Sequence, residues 1–392
     1  MDKNIFQRIF DIFKREVWLF AQRPMFLFCI IIAPIACIIF FVTLMKSGLP
    51  TDLPTGIVDM DNTHITRIIT RTIDALEETK IVAHYRNFTE AREAVQKGEI
   101  YAFFYIPKGT TEEALASRQP TVSFYTNESY FVAGTLLMKD LRTASELTGL
   151  ALSRETLYSK GATERQALSI IRPIVTEAHP LNNPMLNYSI YLNNILLPGI
   201  LILLILLTTT YTIGYEWKQD TQKEWYKLAN GSSFVALIGK LLPQTVIFSN
   251  IITCYDVVFY KFLGFPCLCG IGSMIALGIL TVLASQAFGI FLFGLFTGFM
   301  RIAMCLSALW GILSFSLCGF TFPVTAMHPV LKALAYLFPL RHYYLIYVNQ
   351  ALDGNPIGYV WTSVLCMLAF LILPFFVLFR YNIAFKKYKY IP

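Results

Sequence analysis

The order of apolar and polar stretches constrains this chain more than any motif in it. One apolar run, Phe26–Met45, is followed by a polar stretch from Lys46 to about Asn187, and then by further apolar runs to the end. A spanning helix needs roughly 20 mostly apolar residues. Six segments satisfy that length: Phe26–Met45, Ile190–Gly214, Phe234–Tyr260, Cys269–Phe296, Ile302–Phe322 and Tyr359–Phe379. The fifth is the least regular, because Thr321, Pro323 and the stretch to Leu340 read as a broken or re-entrant element. Charged residues make up only 15% of the chain, against about a quarter in soluble domains, which excludes an ordinary globular protein. The expected fold is a polytopic α-helical membrane protein with six transmembrane helices, plus a small α/β extracytoplasmic domain inserted after the first. In residue terms that is an amphipathic segment 1–23, a first span 24–46, an inserted domain 47–187 and a five-helix block 188–392. The last block contains an inner loop 215–233 and an outer segment about 318–345.

Charge placement orients the chain. With the N-terminus inside, the flanks and short loops on that side, from Lys3 to Lys389, carry fourteen Lys and Arg against six acids, Asp2, Asp11, Glu16, Glu216, Asp220 and Glu224. The inserted domain then faces outward, and both termini are cytoplasmic. The +7 net charge is therefore a topology signature and gives no reason to expect nucleic acid. The first span is too long for the apolar core of a signal peptide, and a charged segment precedes it. Pro34 is expected to kink it without ending it. Of the eight cysteines, six sit inside apolar runs, where Cys packs as a small hydrophobe. Cys267 and Cys269 lie at an outer loop. Packing is the expected role there, with a metal or redox pair as the alternative.

In the N-terminal segment, Phe6, Ile9, Phe10, Phe13, Val17 and Phe20 fall on one helical arc, while Arg8, Asp11 and Arg15 point the other way. This predicts a helix in the inner headgroup plane, with Trp18 and Arg23 at the interface. Its polar face is either simply solvated or the first surface a cytoplasmic partner meets. In the polar stretch, short β-type runs (Thr55–Asp59, Ile81–Tyr85, Ile100–Ile106, Val122–Tyr125) alternate with helical spacing over His64–Glu77, Thr89–Lys97 and Phe131–Leu152. Thr89 is the expected N-cap of its helix and Gly98 its stop. Glu155–Glu177 is expected to continue as helix or irregular chain. Strands alternating with helices imply a partly parallel sheet. Asp59 and Asp61 have no His or third carboxylate at supporting spacing, so a strand-end turn that caps the next helix is expected rather than a metal or acid–base site.

The loop Glu216–Gly231 carries both charge signs, two Trp and Tyr226, and Gly231-Ser-Ser233 caps the following helix, which carries Gly239-Lys240. The aromatic residues suggest burial against a partner or headgroups. Here the residues resemble the permease subunits of type 2 ABC exporters, in the branch with a large extracytoplasmic domain after the first span. Glu216, Thr221, Glu224 and Gly239-Lys240 stand at that family's loop positions, with Lys218 in place of a common second acid and Asp220 in place of a usual Gly. Ser316–Pro329 looks like the family's re-entrant outer segment, with Gly319, Pro323, Met327 and Pro329 in it. Leu337–Tyr344, containing Pro339, matches the helix that follows. The opening Gly-Ile-Val-Asp of the inserted domain and Glu90–Ile106 are also similar.

The resemblance implies an exporter permease that moves an amphipathic or apolar substrate. It implies a cytoplasmic ABC ATPase as partner, docked through Glu216, Thr221, Glu224, Trp225, Gly239, Lys240 and Arg15. The chain itself has no Gly-x4-Gly-Lys-Ser/Thr loop, so ATP and Mg belong on that partner and no cofactor is expected here. Six spans are half the family's usual set, so a second permease subunit, identical or paralogous, is implied. A periplasmic adaptor and membrane lipid complete the partners under consideration, with the bacterial inner membrane as the location. Polar residues at membrane depth, Asn193, Asn194, Thr208, Thr209, Thr210, Asn250 and Asp256, are candidates for a translocation path. Asp256 lies near Lys261 and is equally well read as a solvated or paired carboxylate, and the Thr run as bonding back to helix carbonyls. Gly294 and Gly298 form a small-xxx-small pair suited to close helix packing. The alternative function is a non-transporting protein of a secretion system or phage-receptor-like type, which would lack the inner loop. A lipid-modifying enzyme would need a convergent catalytic site, and none is apparent.

Overall fold

The computed structural model describes residues 4–116, 118–172, 177, 179–387 and 390. Asp2, Lys3 and Lys389 of the charge tally, and residues 173–176 of the expected Glu155–Glu177 continuation, lie outside them. Contacts divide the chain into two compact units, Met1–Lys46 with Leu181–Pro392, and Ser47–Pro180.

Helix α1 (Ile5–Ala21) opens the first unit, with Asn4 and Gln7 forming a capping box. Helix α2 (Pro24–Leu44) follows. Phe28–Ile32 is a π-helical turn just before Pro34. The wide turn absorbs the proline, so the helix runs on through it, as expected.

The inserted unit is a four-stranded sheet in the order β2-β1-β3-β4, with β1 (Leu53–Asp59) parallel to β2 (Thr79–His84) and to β3 (Ala102–Ile106). The last strand, β4 (Ser123–Thr126), is antiparallel. Between the strands lie α3 (His64–Asp74), α4 (Phe88–Lys97) and α5 (Thr110–Leu115). A long α6 (Phe131–Ser159) and α7 (Glu164–Ile171) follow. Ile69 and Ile73 of α3 pack with Leu137 and Leu141 of α6 on one face of the sheet. Ala91 and Ala94 of α4 pack with Val58 and Phe103 on the other. The sheet is thus covered on both sides, as parallel strands require. The N-cap of α4 is Asn87 rather than Thr89, because the Asn87 side chain accepts the Glu90 N–H at 2.9 Å. Gly98 ends that helix at φ +76°, where only glycine is unstrained. Helix α5 was not foreseen. Asp61 caps it by accepting the N–H groups of Gly109 and Thr111 at 2.7 and 3.0 Å. Asp59 is therefore the expected turn residue, but the cap differs from the one expected: Thr63 caps the next helix, α3, and Asp61 caps α5 instead.

At the start of β2 two buried carboxyl groups meet. Glu78 and Asp140 are each 4% exposed and in hydrogen-bond contact. Thr79 donates to Asp140 at 3.0 Å and Lys139 to Glu78 at 2.9 Å, with Glu77 nearby. Burial, then the neighbouring Glu78, pushes the Asp140 carboxyl up to about 7. The folded unit therefore holds this proton more tightly than the unfolded chain. The stabilisation it gives is complete at low pH and is lost as pH rises through 7. Asp140→Asn, which keeps both a donor and an acceptor, is expected to raise the melting temperature at pH 8 and to flatten its dependence between pH 5.5 and 8. An unchanged pH dependence in thermal unfolding would refute this.

The chain returns to the first unit with α8 (Tyr188–Lys218), the short α9 (Gln222–Leu228) and α10 (Ser233–Phe262). Then come α11 (Ile271–Leu295), α12 (Met300–Leu317), α13 (Pro329–Ala335), α14 (Pro339–Tyr347), α15 (Trp361–Phe370) and α16 (Leu373–Lys387). Among the described residues six helices are long and apolar enough to cross a bilayer, the last being Ile357–Lys387 taken as one. That last span differs from the single helix expected. It turns at Leu371–Ile372, where i→i+3 bonds such as Ile372 N–H to Ala369 O replace the regular ladder. Pro374 lacks the donor needed to continue it. The fifth span ends at Leu317 rather than Phe322. Gly319 follows at φ +103°, and Pro329 and Pro339 each open a short helix at its first turn. Pro323 precedes a single 3-10 turn that ends at Met327.

Candidate functional site

The coupling residues expected from the loop Glu216–Lys240 converge, together with two charges of α1. Glu216 stands in the last turn of α8. Asp220 follows at φ +54°, and the Thr221 N–H turns back to the Glu216 carbonyl at 3.0 Å. A left-handed residue is needed there, which Asp tolerates and Gly takes freely. Lys240 reaches Glu216 from the second turn of α10. Its ammonium donates to Glu216 Oε1 at 2.7 Å and to Glu16 Oε2 at 2.8 Å. The Arg15 guanidinium donates to both Glu216 oxygens, at 2.9 and 3.0 Å, and to Glu16 Oε1 at 2.7 Å. Thr221 completes the shell by donating to Glu216 Oε2 at 2.5 Å.

Two acids and two bases thus close a neutral ring in which Glu16, Glu216 and Lys240 are each 1% exposed and Arg15 20%. Buried charges persist only when paired and hydrogen-bonded, and here every carboxylate oxygen has a donor. The Lys240 ammonium also sits 4.8 Å over the Trp225 ring, whose N–H donates to the Ala236 carbonyl at 3.1 Å. The ring locks α1, the end of α8 and the start of α10 together, with α9 held against them by Thr221 and Trp225. Gly239 lets α1 approach. A Cβ there would lie 2.8 Å from Ile12 Cβ and 3.1 Å from the Ile9 carbonyl oxygen.

On α1 the side packed on protein is Ile12, Glu16 and Phe20, while Phe6, Phe10, Val17 and Trp18 of the expected arc and interface stay exposed, on the side left open for a bilayer interface. Two expectations are corrected. Arg15, expected on the outward polar face, turns into the ring. The aromatic loop residues are not presented to a partner either. Trp217, Trp225 and Tyr226 pack on Phe385 of α16, with ring centroids 5.1, 4.9 and 4.7 Å away. The exposed face of α9 carries Lys223, Glu224 and Lys227 instead. Glu16 was missed. Its signal is an acid one turn beyond Ile12 and one turn before Phe20, in a series otherwise apolar.

The membrane-depth polar residues do not assemble into one site. Thr208 and Thr210 donate back to Leu204 and Leu206 at 2.7 and 2.9 Å, so the back-bonding reading holds for them, although Thr208 also lines a cavity of about 100 Å3 with Phe26 and Tyr211. Thr209 faces Gly289. Asn250 bonds its own helix at Val246 and is exposed. Asn193 donates to Ser189 at 2.9 Å, and Asn194 accepts from Tyr260 at 3.2 Å. Asp256 is only 2% exposed, forms no ion pair among the described residues, and its Oδ2 is buried without a hydrogen-bond partner. Cys267 and Cys269 belong to one turn closed by the Gly270 N–H on the Cys267 carbonyl at 3.3 Å. Gly294 lies against Val377 and Tyr381, a close helix contact.

The sequence profile described as ABC-2 family transporter protein matches residues 24–380. The chain belongs to the ABC-2 transporter family. It is a transporter permease, a multi-pass membrane component, and permeases of this family work with an ATPase subunit. The match takes in Glu216 and Lys240 of the ring, while Arg15 and Glu16 precede it. No curated protein matches the chain.

Proposed function

We propose that this permease is half of an ATP-driven exporter, and that a separate ATPase docks on the loop Glu216–Gly231 and acts through the charge ring beneath it. The observation that carries the reading is the pairing of a short helix exposing Lys223, Glu224 and Lys227 with a buried ring tying that helix to three others. A load applied to α9 passes through Thr221 and Glu216 into α8, and through Lys240 into α10. The helices then move as a body, because each ring member is shared between at least two elements. On this reading the ring lies at the cytoplasmic face, as the excess of cations on that side favours. The inserted unit then faces outward, where an adaptor would meet it, and both termini are cytoplasmic, with the chain in the bacterial inner membrane. A second subunit, identical or paralogous, completes the path, and the apolar spans suit amphipathic or apolar cargo. ATP and Mg sit on the partner. The secretion-system or phage-receptor-like reading loses its ground, since the chain belongs to a transporter family.

The test is co-purification in mild detergent from the native membrane, with any ABC ATPase recovered alongside it identified and quantified. Glu224→Lys, on an exposed face, is expected to lower ATPase recovery about tenfold or more while leaving the permease melting temperature unchanged. Undiminished recovery, or no ATPase at all with the unaltered chain, would sink the docking assignment.

A further inference from the structure

The inserted unit has seventeen Asp and Glu against fourteen Lys and Arg, yet one of its clefts is lined by bases. The cleft, of about 690 Å3, lies where β1 and β2 end side by side. It gathers Arg67 and Arg71 from α3 with His84 and Arg86 from the end of β2. It lies beyond the carboxyl ends of these strands but on the β2 side of β1, away from the β1/β3 switch point where open parallel sheets usually hold ligands, so the case for a ligand rests on its lining.

The one acid in its lining, Asp59, is already engaged. Its Oδ1 accepts the N–H groups of Asp61 and Asn62 at 3.0 and 2.9 Å, and its Oδ2 accepts the Thr66 hydroxyl at 2.6 Å. Nearby Asp74 and Glu90 each turn one oxygen to a backbone N–H, of Ile81 and Arg86, at 2.9 and 3.0 Å, and neither pairs with a guanidinium of the cleft. The ion pairs of the unit, among the described residues, all lie elsewhere. Three guanidinium groups therefore face one cleft with no carboxylate within 4.0 Å, Arg67 making only a 3.4 Å contact to the Asn62 carbonyl. One carboxylate against three guanidinium groups leaves the lining with a net positive charge, which an anion bound between them would offset. Guanidinium forks match the paired oxygens of a phosphate. The volume far exceeds one phosphate and leaves room for an attached polyol, which the polar walls would accept.

We propose that this cleft binds a phosphate-bearing polyol, either a soluble sugar or glycerol phosphate or the head group of an anionic phospholipid. Arg67, Arg71 and Arg86 hold the phosphate, and His84 and Asn62 face the polyol. The cleft is separate from the charge ring, and the assignment does not depend on the exporter reading. It is tested by calorimetric titration of the full-length protein in maltoside micelles with inorganic phosphate, glycerol phosphate and short-chain phosphatidylglycerol. Glycerol phosphate is expected to bind more tightly than inorganic phosphate. Comparable binding of phosphatidylglycerol identifies a lipid source, and its failure to bind a soluble one. Each of Arg67→Gln and Arg71→Gln is expected to weaken binding roughly tenfold, and Arg142→Gln, in an exposed ion pair away from the cleft, to leave it unchanged. Unchanged melting temperatures show that the exposed substitutions leave the fold intact. The absence of binding by all three ligands, equal binding in the Arg variants, or binding of an acidic peptide alone overturns the assignment.

Discussion

Lys240→Met is expected to destabilise the membrane unit by about 3–5 kcal/mol. The ammonium is shared between Glu16 and Glu216 at 2.8 and 2.7 Å, and all three side chains are buried. Without it two carboxylates remain against one guanidinium, and a net charge is stranded where water cannot reach it. Lost attraction is the smaller part of the effect. The larger part is the desolvation of a carboxylate that no longer has enough partners. Adding Glu16→Gln to Lys240→Met removes the excess charge and leaves the Arg15–Glu216 pair intact. Much of the stability is then expected to return, so the two substitutions are strongly non-additive in thermal unfolding. Additive losses would show that the four charges do not act as one ring. The double variant also separates stability from function. A buried ion network is weak evidence of stabilisation, and apolar replacements of such networks are often neutral. If the ring carries load from the ATPase, the double variant recovers its melting temperature but not ATPase coupling.

Much of this architecture was legible in the sequence, for a simple reason. Span number depends on apolar length alone, and the alternation of strands and helices in the inserted unit survives as periodicity. Glu216, Thr221, Gly239 and Lys240 were legible as a set. What periodicity could not show was which apolar face touches protein. On α1 the arc through Phe6, Phe10 and Val17 is the most apolar face, and it stays exposed, where a bilayer can cover it. The face that packs, Ile12–Glu16–Phe20, includes a charge and so scores as less apolar. In a membrane, lipid is as apolar as a neighbouring helix, so hydrophobicity no longer marks the interior. The same ambiguity hid Trp217 and Trp225, whose rings suit a headgroup layer but are buried on Phe385. The break at Leu371–Ile372 was obscured because Pro374 can lie in a continuous kinked helix or follow a turn.

Gly239→Ala tests the other half of the site, the approach of α1 to α10. Two effects oppose each other here. Replacing a mid-helix glycine by alanine ordinarily gains about 0.5–1 kcal/mol. Gly149, in the middle of α6 with open space around its Cβ position, shows that gain unopposed, so Gly149→Ala is expected to stabilise slightly. At Gly239 the new methyl would lie 2.8 Å from Ile12 Cβ and 3.1 Å from the Ile9 carbonyl oxygen. A β-carbon and a backbone oxygen cannot turn aside by changing rotamer, so α1 has to shift as a body. Overpacking of this kind costs about 1–3 kcal/mol, which outweighs the propensity gain. The shift also separates Arg15 and Glu16 from Glu216 and Lys240, since those hydrogen bonds are all between 2.8 and 3.0 Å and leave little slack. Gly239→Ala is therefore expected to lower the melting temperature and to speed hydrogen exchange across Ile5–Ala21, while exchange in the inserted unit stays the same. An exchange rate in α1 equal to that of the unaltered chain would mean that α1 is not held by this contact, and that the ring alone secures it.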